Sequence, residues 1–312
     1  MDFEPFLETL KLQRGCTEQT IRAYRSDLGM FAMYMRDRGL SRITQVTNDV
    51  INGYIGQMQE KENPRFSRTG LSQASIGRRL AAVSSYLEYV RGTSNANIRN
   101  PIREVKRRWK KNTAPKPVDQ ETLDRLMEGI TNLRDRTLFT LFLCTGLRIS
   151  EMCQLNRDSI VVQVKADQYG RETILGSGEV IGKGRKPRRF YVDDQSLEIY
   201  FEYLTGRTDD NPALFLSERK QRLSVRAVQY TLDAWCRKLG LGHINVHRLR
   251  HSYATKLANA GMDLLHLKDL LGHDNASTTH NYFRLTDNTL AVGYFSAMEF
   301  LNGYRPRSIS KP

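Results

Sequence analysis

Along the first hundred positions apolar residues recur at steps of three and four, the period that lines one face of an α-helix. From Thr17, whose hydroxyl suits an N-cap, the series Ile21, Tyr24, Leu28, Phe31 and Met35 predicts a helix that stops near Gly39. A second helix is predicted around Asp49–Met58, followed by a polar loop from Glu60 to Gly70 that contains proline and glycine. Ser72 through Val90 repeats the pattern through Ile76, Leu80, Val83 and Leu87, with Arg78 and Arg79 on the other face, where they could meet phosphates.

The second half mixes two periods. Helices are predicted at Gln120–Ile130 and Asp135–Leu143, the latter apolar enough to be core. Short β-branched pieces follow at Ile160–Val164, Thr173–Leu175, Glu179–Ile181 and Arg189–Val192, separated by Gly, Asp and Lys, as in a small antiparallel meander. The helical period returns through Leu197–Leu204, Val225–Leu239, Leu249–Ala260, Leu264–Leu271 and a last helix near Thr289–Leu301. The expected fold is mainly α with a small antiparallel β-sheet, in two domains. Between them, Arg99 to Lys111 holds seven basic residues against one acid, Glu104, and then runs into Asn112-Thr113-Ala114-Pro115-Lys116-Pro117. The division is therefore placed as a helical domain over 1–105, a basic linker over 106–117 and a second domain over 118–312.

Charge narrows the partner. The chain has 312 residues, more than the ~100–200 of a usual single domain. Lys and Arg number 48 against 34 Asp and Glu, a net charge of +14. Such an excess favours a polyanion, nucleic acid before anionic membrane. A membrane span needs ~20 consecutive apolar residues, and the longest apolar run is the short one around Leu138–Cys144. No membrane partner is expected. Met1-Asp2-Phe3-Glu4 is acidic and lacks the order of an export signal. Cys16, Cys144, Cys153 and Cys236 are scattered without CxxC spacing, which points to a reducing cytoplasm and to neither a disulfide framework nor a zinc knuckle. With nucleic acid as the partner, Arg78, Arg79 and the linker residues Lys106, Arg107 and Arg108 become candidate DNA contacts.

Four places concentrate residues able to do chemistry. In Thr145-Gly146-Leu147-Arg148-Ile149-Ser150-Glu151 one helix ends at a glycine and another opens on Arg148, a setting that favours anions. Gly182-Lys183-Gly184-Arg185-Lys186 is a flexible cationic turn between strands. His247-Arg248-Leu249-Arg250-His251 puts His247 and Arg250 on one helical face at i, i+3. The fourth runs from Leu270-Leu271-Gly272-His273 through Asn275 to Tyr282. Taken singly, each has a plainer reading. Arg148 serves as well as an ion-pair partner of Glu151, and Lys183 as an ordinary hairpin lysine. His247 and His251 match the i, i+4 spacing of zinc pairs, but no H-E-x-x-H glutamate lies between them. Tyr282 alone is as readily a half-buried aromatic.

The four in order resemble the tyrosine recombinase, or phage integrase, family. Its T-G-L-R-x-S-E motif stands at Thr145 to Glu151, and its glycine-lysine hairpin at Gly182-Lys183-Gly184. Its H-x-L-R-H-x-x-A-T motif stands at His247 to Thr255, and its L-G-H at Leu271-Gly272-His273 with the nucleophile nine residues on at Tyr282. Thr20, Tyr24 and Leu28 also match a pattern of the family's helical core-binding domain. The two-domain layout, with no arm-binding domain ahead of Met1, is most similar to the Xer-type subgroup. Relative to that pattern, Ala166 to Arg171 reads as an insertion in the sheet.

The resemblance implies a catalytic set of Arg148, Lys183, His247, Arg250, His273 and Tyr282. The arginines would clamp the phosphate, because a guanidinium fork matches two non-bridging oxygens and stays charged. Tyr282 would attack, His247 acting as base, while Lys183 protonates the departing 5′-oxygen. His273 would add a hydrogen bond to phosphate, and Glu151 would buttress the arginines. Rejoining through a 3′-phosphotyrosine needs no cofactor, neither ATP nor metal. The implied partners are double-stranded DNA at a specific site and a homotetramer bridging two such sites, joined by the C-terminal helix with Leu290, Tyr294, Phe295, Met298 and Leu301. Two rounds of strand exchange through a Holliday junction would then perform integration, excision or resolution. The rivals are a type IB topoisomerase-like nicking-closing enzyme, disfavoured by the Xer-like spacings and that helix, and a non-catalytic DNA-binding regulator, disfavoured by the full catalytic set. A metal-dependent nuclease would require acidic residues clustered beside the histidines.

Overall fold

The computed structural model describes residues 1–60, 62–63, 68–94, 98–104, 117–166, 172–182 and 186–272. The chain divides into two compact units, Met1–Thr113 and Ala114–Pro312. Among the described residues no helix is long and apolar enough to cross a membrane.

Among the described residues of the first unit, four α-helices surround one core. Helix α1 (Glu4–Arg14) is not legible in the periodicity, because Phe6, Leu7 and Leu10 supply too few apolar positions to set a period. Helix α2 (Glu18–Asp37) begins where Thr17 accepts a hydrogen bond from the Thr20 N–H at 3.3 Å, and buries Ile21, Leu28, Phe31 and Met35 as predicted. Helix α3 (Asn48–Glu60) adds Ile51, Tyr54 and Met58. The predicted polar loop contains a short antiparallel pairing of β1 (Glu62–Asn63) with β2 (Arg68–Thr69). Helix α4 (Gln73–Thr93), capped by Ser72, closes the core with Ile76, Leu80, Val83 and Leu87.

The second unit opens with α5 (Gln120–Gly129) and α6 (Leu133–Thr145), capped by Asp119 and Asn132. The short α7 (Ile149–Gln154) precedes a meander of β3 (Val161–Ala166), β4 (Glu172–Ile181) and β5 (Pro187–Val192), in the order β3-β4-β5 with antiparallel pairing throughout. The two middle strands expected from the sequence are one strand. Its Gly176-Ser177-Gly178 resembles a break but is a close contact: a Cβ on Gly178 would lie 2.2 Å from the Ser159 carbonyl oxygen and 2.5 Å from the Phe190 ring. Glycine is there because the sheet packs tightly, without turning the chain. Residues 167–171 of the expected insertion lie outside the described residues.

Helices α8 (Asp194–Thr205), α9 (Val225–Lys238), α10 (Val246–Asn259) and α11 (Leu264–Leu271) follow among the described residues. Phe139, Phe142, Leu147, Phe190, Tyr200 and Leu249 form its fully buried centre. A smaller cluster of Tyr253, Ala254, Ala258, Leu267 and Leu271 fastens α11 to α10. The helix predicted near Thr289–Leu301 lies outside the described residues.

Candidate active site

Two glycine corners bring the arginines together. Helix α6 ends at Gly146, whose φ of +58° suits a residue without a side chain and whose N–H donates to the Phe142 carbonyl at 3.2 Å. A Cβ at Gly146 would also fall 2.2 Å from the Tyr253 ring, so close packing and backbone conformation both select glycine. Leu147 is buried just beyond, which sets Arg148 at the N-cap of α7. Glu151, one turn on, reaches back to it. Its Oε2 accepts from the Arg148 main-chain N–H at 2.7 Å and its Oε1 from Arg148 Nη1 at 2.8 Å.

The second corner is Gly272, with φ +61°, which ends α11. A helix C-terminus leaves carbonyls without intrahelical partners and carries partial negative charge. Three arginines from three elements satisfy them in succession. Arg188 on β5 donates through Nη1 to the Leu270 oxygen, Arg250 on α10 through Nη2 to the Leu271 oxygen, and Arg148 through Nη2 to the Gly272 oxygen at 2.5 Å. Arg250 also donates through Nη1 to the Gly146 oxygen at 2.6 Å, so it ties one glycine corner to the other.

Charge within this cluster is unevenly distributed. Glu151 is buried, which alone would raise its pKa, but hydrogen bonding and charge from Arg188, then Arg148, hold the carboxyl below its ordinary range. It stays ionised between the guanidiniums. His247 stands on α10 as an exposed residue, and neighbouring protein atoms, then the charges of Arg250 and Arg148, lower its pKa. Its neutral, proton-accepting form is favoured. Burial, then His247 and Arg250, act likewise on His251. Among the described residues no three His, Cys, Asp or Glu side chains gather as a metal site would require.

Of the expected catalytic residues the structure brings Arg148, His247 and Arg250 together. Lys183, His273 and Tyr282 lie outside the described residues, as do Lys106, Arg107 and Arg108. The root of the lysine hairpin is described. The Gly182 N–H donates to the Lys186 oxygen at 2.8 Å, and a Cβ on Gly182 would stand 3.8 Å from Arg148 Nη1. In the first unit the predicted shared face of Arg78 and Arg79 splits. The Arg78 side chain is 54% exposed and that of Arg79 only 15%, both turned to the buried Asp27, because that carboxylate needs positive partners inside the fold.

The sequence motifs do not disclose Arg188. It hides in the basic run Arg185 to Arg189, yet the strand gives a signal: in β5 residues 188, 190 and 192 point inward, so Arg188 shares a face with Phe190 and Val192. An arginine at an inward position of an alternating strand marks a buried partner.

Two guanidiniums, Arg148 and Arg250, backed by Arg188 and Glu151 and neighboured by His247 and His251 beside two glycine corners, suit a phosphate diester. Residues 116–289 match the phage integrase family, and residues 3–92 match the phage integrase N-terminal SAM-like domain. The chain belongs to the phage integrase family. A tyrosine recombinase XerC of Actinobacillus succinogenes is 30% identical to this integrase over 94% of the chain and 96% of its own length. That of Vibrio parahaemolyticus is 32% identical over 94% and 91%. Two solved structures share the fold. The Tn1549 transposon integrase in complex with circular intermediate DNA has a TM-score of 0.70 at 18% identity, covering 93% of this chain and 98% of that one. The XerH site-specific recombinase bound to difH substrate has a TM-score of 0.66 at 20% identity, covering 92% and 83%. The family, the mainly α fold with its small sheet and the enzyme class expected from the motifs hold together: this integrase is a tyrosine-type site-specific recombinase.

Proposed function

We propose that the protein cleaves and rejoins double-stranded DNA at a specific site by transesterification, acting in the cytoplasm. The Tyr282 hydroxyl attacks the scissile phosphorus, the bond to the 5′-oxygen breaks, and a 3′-phosphotyrosine and a free 5′-hydroxyl result. His247 takes the tyrosine proton and Lys183 gives one to the departing oxygen. Arg148 and Arg250 meet the charge that grows on the non-bridging oxygens, with donors already oriented, and His273 adds a further hydrogen bond. Reversal onto the 5′-hydroxyl of a second duplex exchanges strands. Two such rounds through a Holliday junction need four protomers on two sites, held by the C-terminal helix that carries Leu290, Tyr294 and Phe295. Arg78, whose side chain stays half exposed, and the linker residues Lys106, Arg107 and Arg108 contribute sequence-independent affinity through phosphates, while Arg79 is held by Asp27.

One observation carries this reading. Arg148 and Arg250, from separate motifs, converge on the carbonyls of Gly272 and Leu271, the two residues directly before His273 in the chain. The arrangement ties the phosphate clamp to the segment that leads to Tyr282. The test is to purify the protein from cells under denaturing conditions and sequence whatever DNA remains covalently attached. Wild-type protein should carry a defined site and Tyr282→Phe none. An adduct on the phenylalanine variant would remove the nucleophile from this scheme.

A further inference from the structure

Arg188 is a buried arginine, its side chain 6% exposed, whose hydrogen bonds among the described residues run to Glu151 and the end of α11. Its Nη2 donates to Glu151 Oε2 at 2.5 Å, its Nη1 to the Leu270 oxygen, and its Nε is buried with no partner among the described residues. Glu151 is thereby shared. Oε2 serves both Arg188 and the Arg148 main-chain N–H, while Oε1 serves the Arg148 guanidinium. Gly272 closes the assembly, because a Cβ there would stand 2.6 Å from Arg188 Cδ.

We propose that Arg188 is a positioning residue for the phosphate clamp: it locks Glu151 against the end of α11, so that Arg148 is held in the orientation that meets the scissile phosphate. A lone Arg148–Glu151 pair would sample several rotamers of two long side chains. A second guanidinium that grips both the carboxylate and a main-chain oxygen removes that freedom before substrate arrives, which is what electrostatic preorganisation requires. The task needs an arginine, since Glu151 Oε2 and the Leu270 oxygen are separate acceptors reached by separate arms of one planar fork. An ammonium group is a single point charge on a flexible stem and satisfies one of them well.

This inference rests on the recombinase reading above, and the experiment separates the two. Wild type, Arg188→Met, Arg188→Lys, Glu151→Gln and the Arg188→Met/Glu151→Gln double variant are compared on the captured site, by single-turnover adduct formation at saturating protein. Arg188→Met should slow adduct formation about tenfold to a hundredfold, the size seen when support behind a metal ligand is removed, with DNA affinity near wild type. Arg188→Lys should recover part of the rate. Because Arg188 acts through Glu151, the double variant should be no slower than the worse single variant by more than about twofold. A substrate with sulfur in place of the bridging 5′-oxygen, whose thiolate departs without a proton, should not rescue Arg188→Met. Additive losses, rescue by the thiolate or a wild-type rate in Arg188→Met would each overturn the proposal. Should Arg188→Met fail to fold, Arg188→Lys with Glu151→Gln provides the same cycle. A wild-type protein that forms no adduct would instead overturn the recombinase reading, and this inference with it.

Discussion

In each unit of this protein a buried carboxylate sits beside two arginines, Asp27 in the first and Glu151 in the second, and the two clusters behave oppositely. Asp27, 1% exposed, accepts from Arg78 Nη1 through Oδ2, but its Oδ1 lies 3.8 Å from Arg79 Nε, beyond hydrogen-bonding distance. That Oδ1, Arg79 Nε and the Tyr54 hydroxyl are buried without hydrogen-bond partners among the described residues. Burial therefore outweighs the two positive charges and raises the Asp27 pKa. Glu151 has a donor on both oxygens, and its pKa falls. The arginines of the second cluster are themselves anchored on the main-chain oxygens of Gly146, Leu270, Leu271 and Gly272. Burial alone does not fix a charge; donors on both oxygens do, and main-chain anchors make the result rigid enough for chemistry.

The largest contrast should appear in catalysis. Replacing Arg148 or Arg250 by Lys leaves a positive charge but breaks a fork, and adduct formation should fall by about 10²–10³-fold, the usual cost of losing one oriented transition-state donor. Arg78→Ala and Arg79→Ala should cleave at near wild-type rates once DNA saturates the protein, because their cluster has no part in the reaction. Single-turnover rates check both halves. Near-normal cleavage in the two lysine variants would put the phosphate elsewhere.

Stability comes next, and its pH dependence should have opposite signs in the two clusters. The Glu151 pKa is lower in the fold than its ordinary ~4.3, so its stabilisation is complete above ~4.3 and is lost as pH falls through the folded value. The Asp27 pKa is higher in the fold than ~3.9, so its stabilisation is complete below ~3.9 and is lost as pH rises through the folded value. Glu151→Gln should therefore cost about 1.5–3 kcal/mol at neutral pH, the range for hydrogen bonds to a charged group, and the deficit should shrink in acid. Asp27→Asn should compare best with wild type at neutral pH and worse in acid. Thermal unfolding of both variants at pH 4 and pH 7 reads this directly. Parallel pH trends would mean that the two carboxylates share one charge state.

The same contrast separates what the sequence discloses from what it conceals. Helix α2 is legible because Thr17 caps it and five apolar residues keep the period, and the family motifs deliver Arg148, His247 and Arg250 onto one site. Strand β4 reads as two because glycine punctuates chains more often than it marks close packing. Arg79 reads as outward because a basic residue off the apolar stripe ordinarily faces water, and only the fold reveals that Asp27 draws it in. Arg188 escapes because its partners, Glu151 and Leu270, are remote in sequence, and a motif read residue by residue carries no information about such a bridge.

A smaller effect concerns His247, which belongs to the second cluster through the charges that surround it. Its pKa is lowered by neighbouring protein atoms and then by Arg250 and Arg148. A base works in its neutral form, so the acid limb of kcat/KM, which reports the free enzyme, should lie below the ordinary histidine value of ~6.5. Arg250→Lys preserves the charge and should leave the limb in place, whereas His247→Gln should abolish it. A limb above ~6.5 that survives His247→Gln would assign the base to another group.

The smallest expected effect divides the first cluster itself. Arg78 gives Asp27 one arm and keeps a side chain 54% exposed, so its other N–H groups are available to a phosphate; Arg79 is 15% exposed and oriented to the same carboxylate. Each phosphate neutralised by a protein cation releases condensed counterions, which adds about 0.9 to the slope of log affinity against log salt on duplex DNA. Arg78→Ala should therefore flatten that slope by up to about 0.9, with Asp27 offsetting part of the charge. Arg79→Ala should leave it unchanged, since a cation committed to a buried carboxylate displaces few ions. Affinity measured for both variants between ~50 and ~200 mM salt decides the matter. If Arg79→Ala changes the slope and Arg78→Ala does not, then Asp27 holds Arg78 as its structural partner and releases Arg79 to the DNA, and the roles of the two arginines are exchanged.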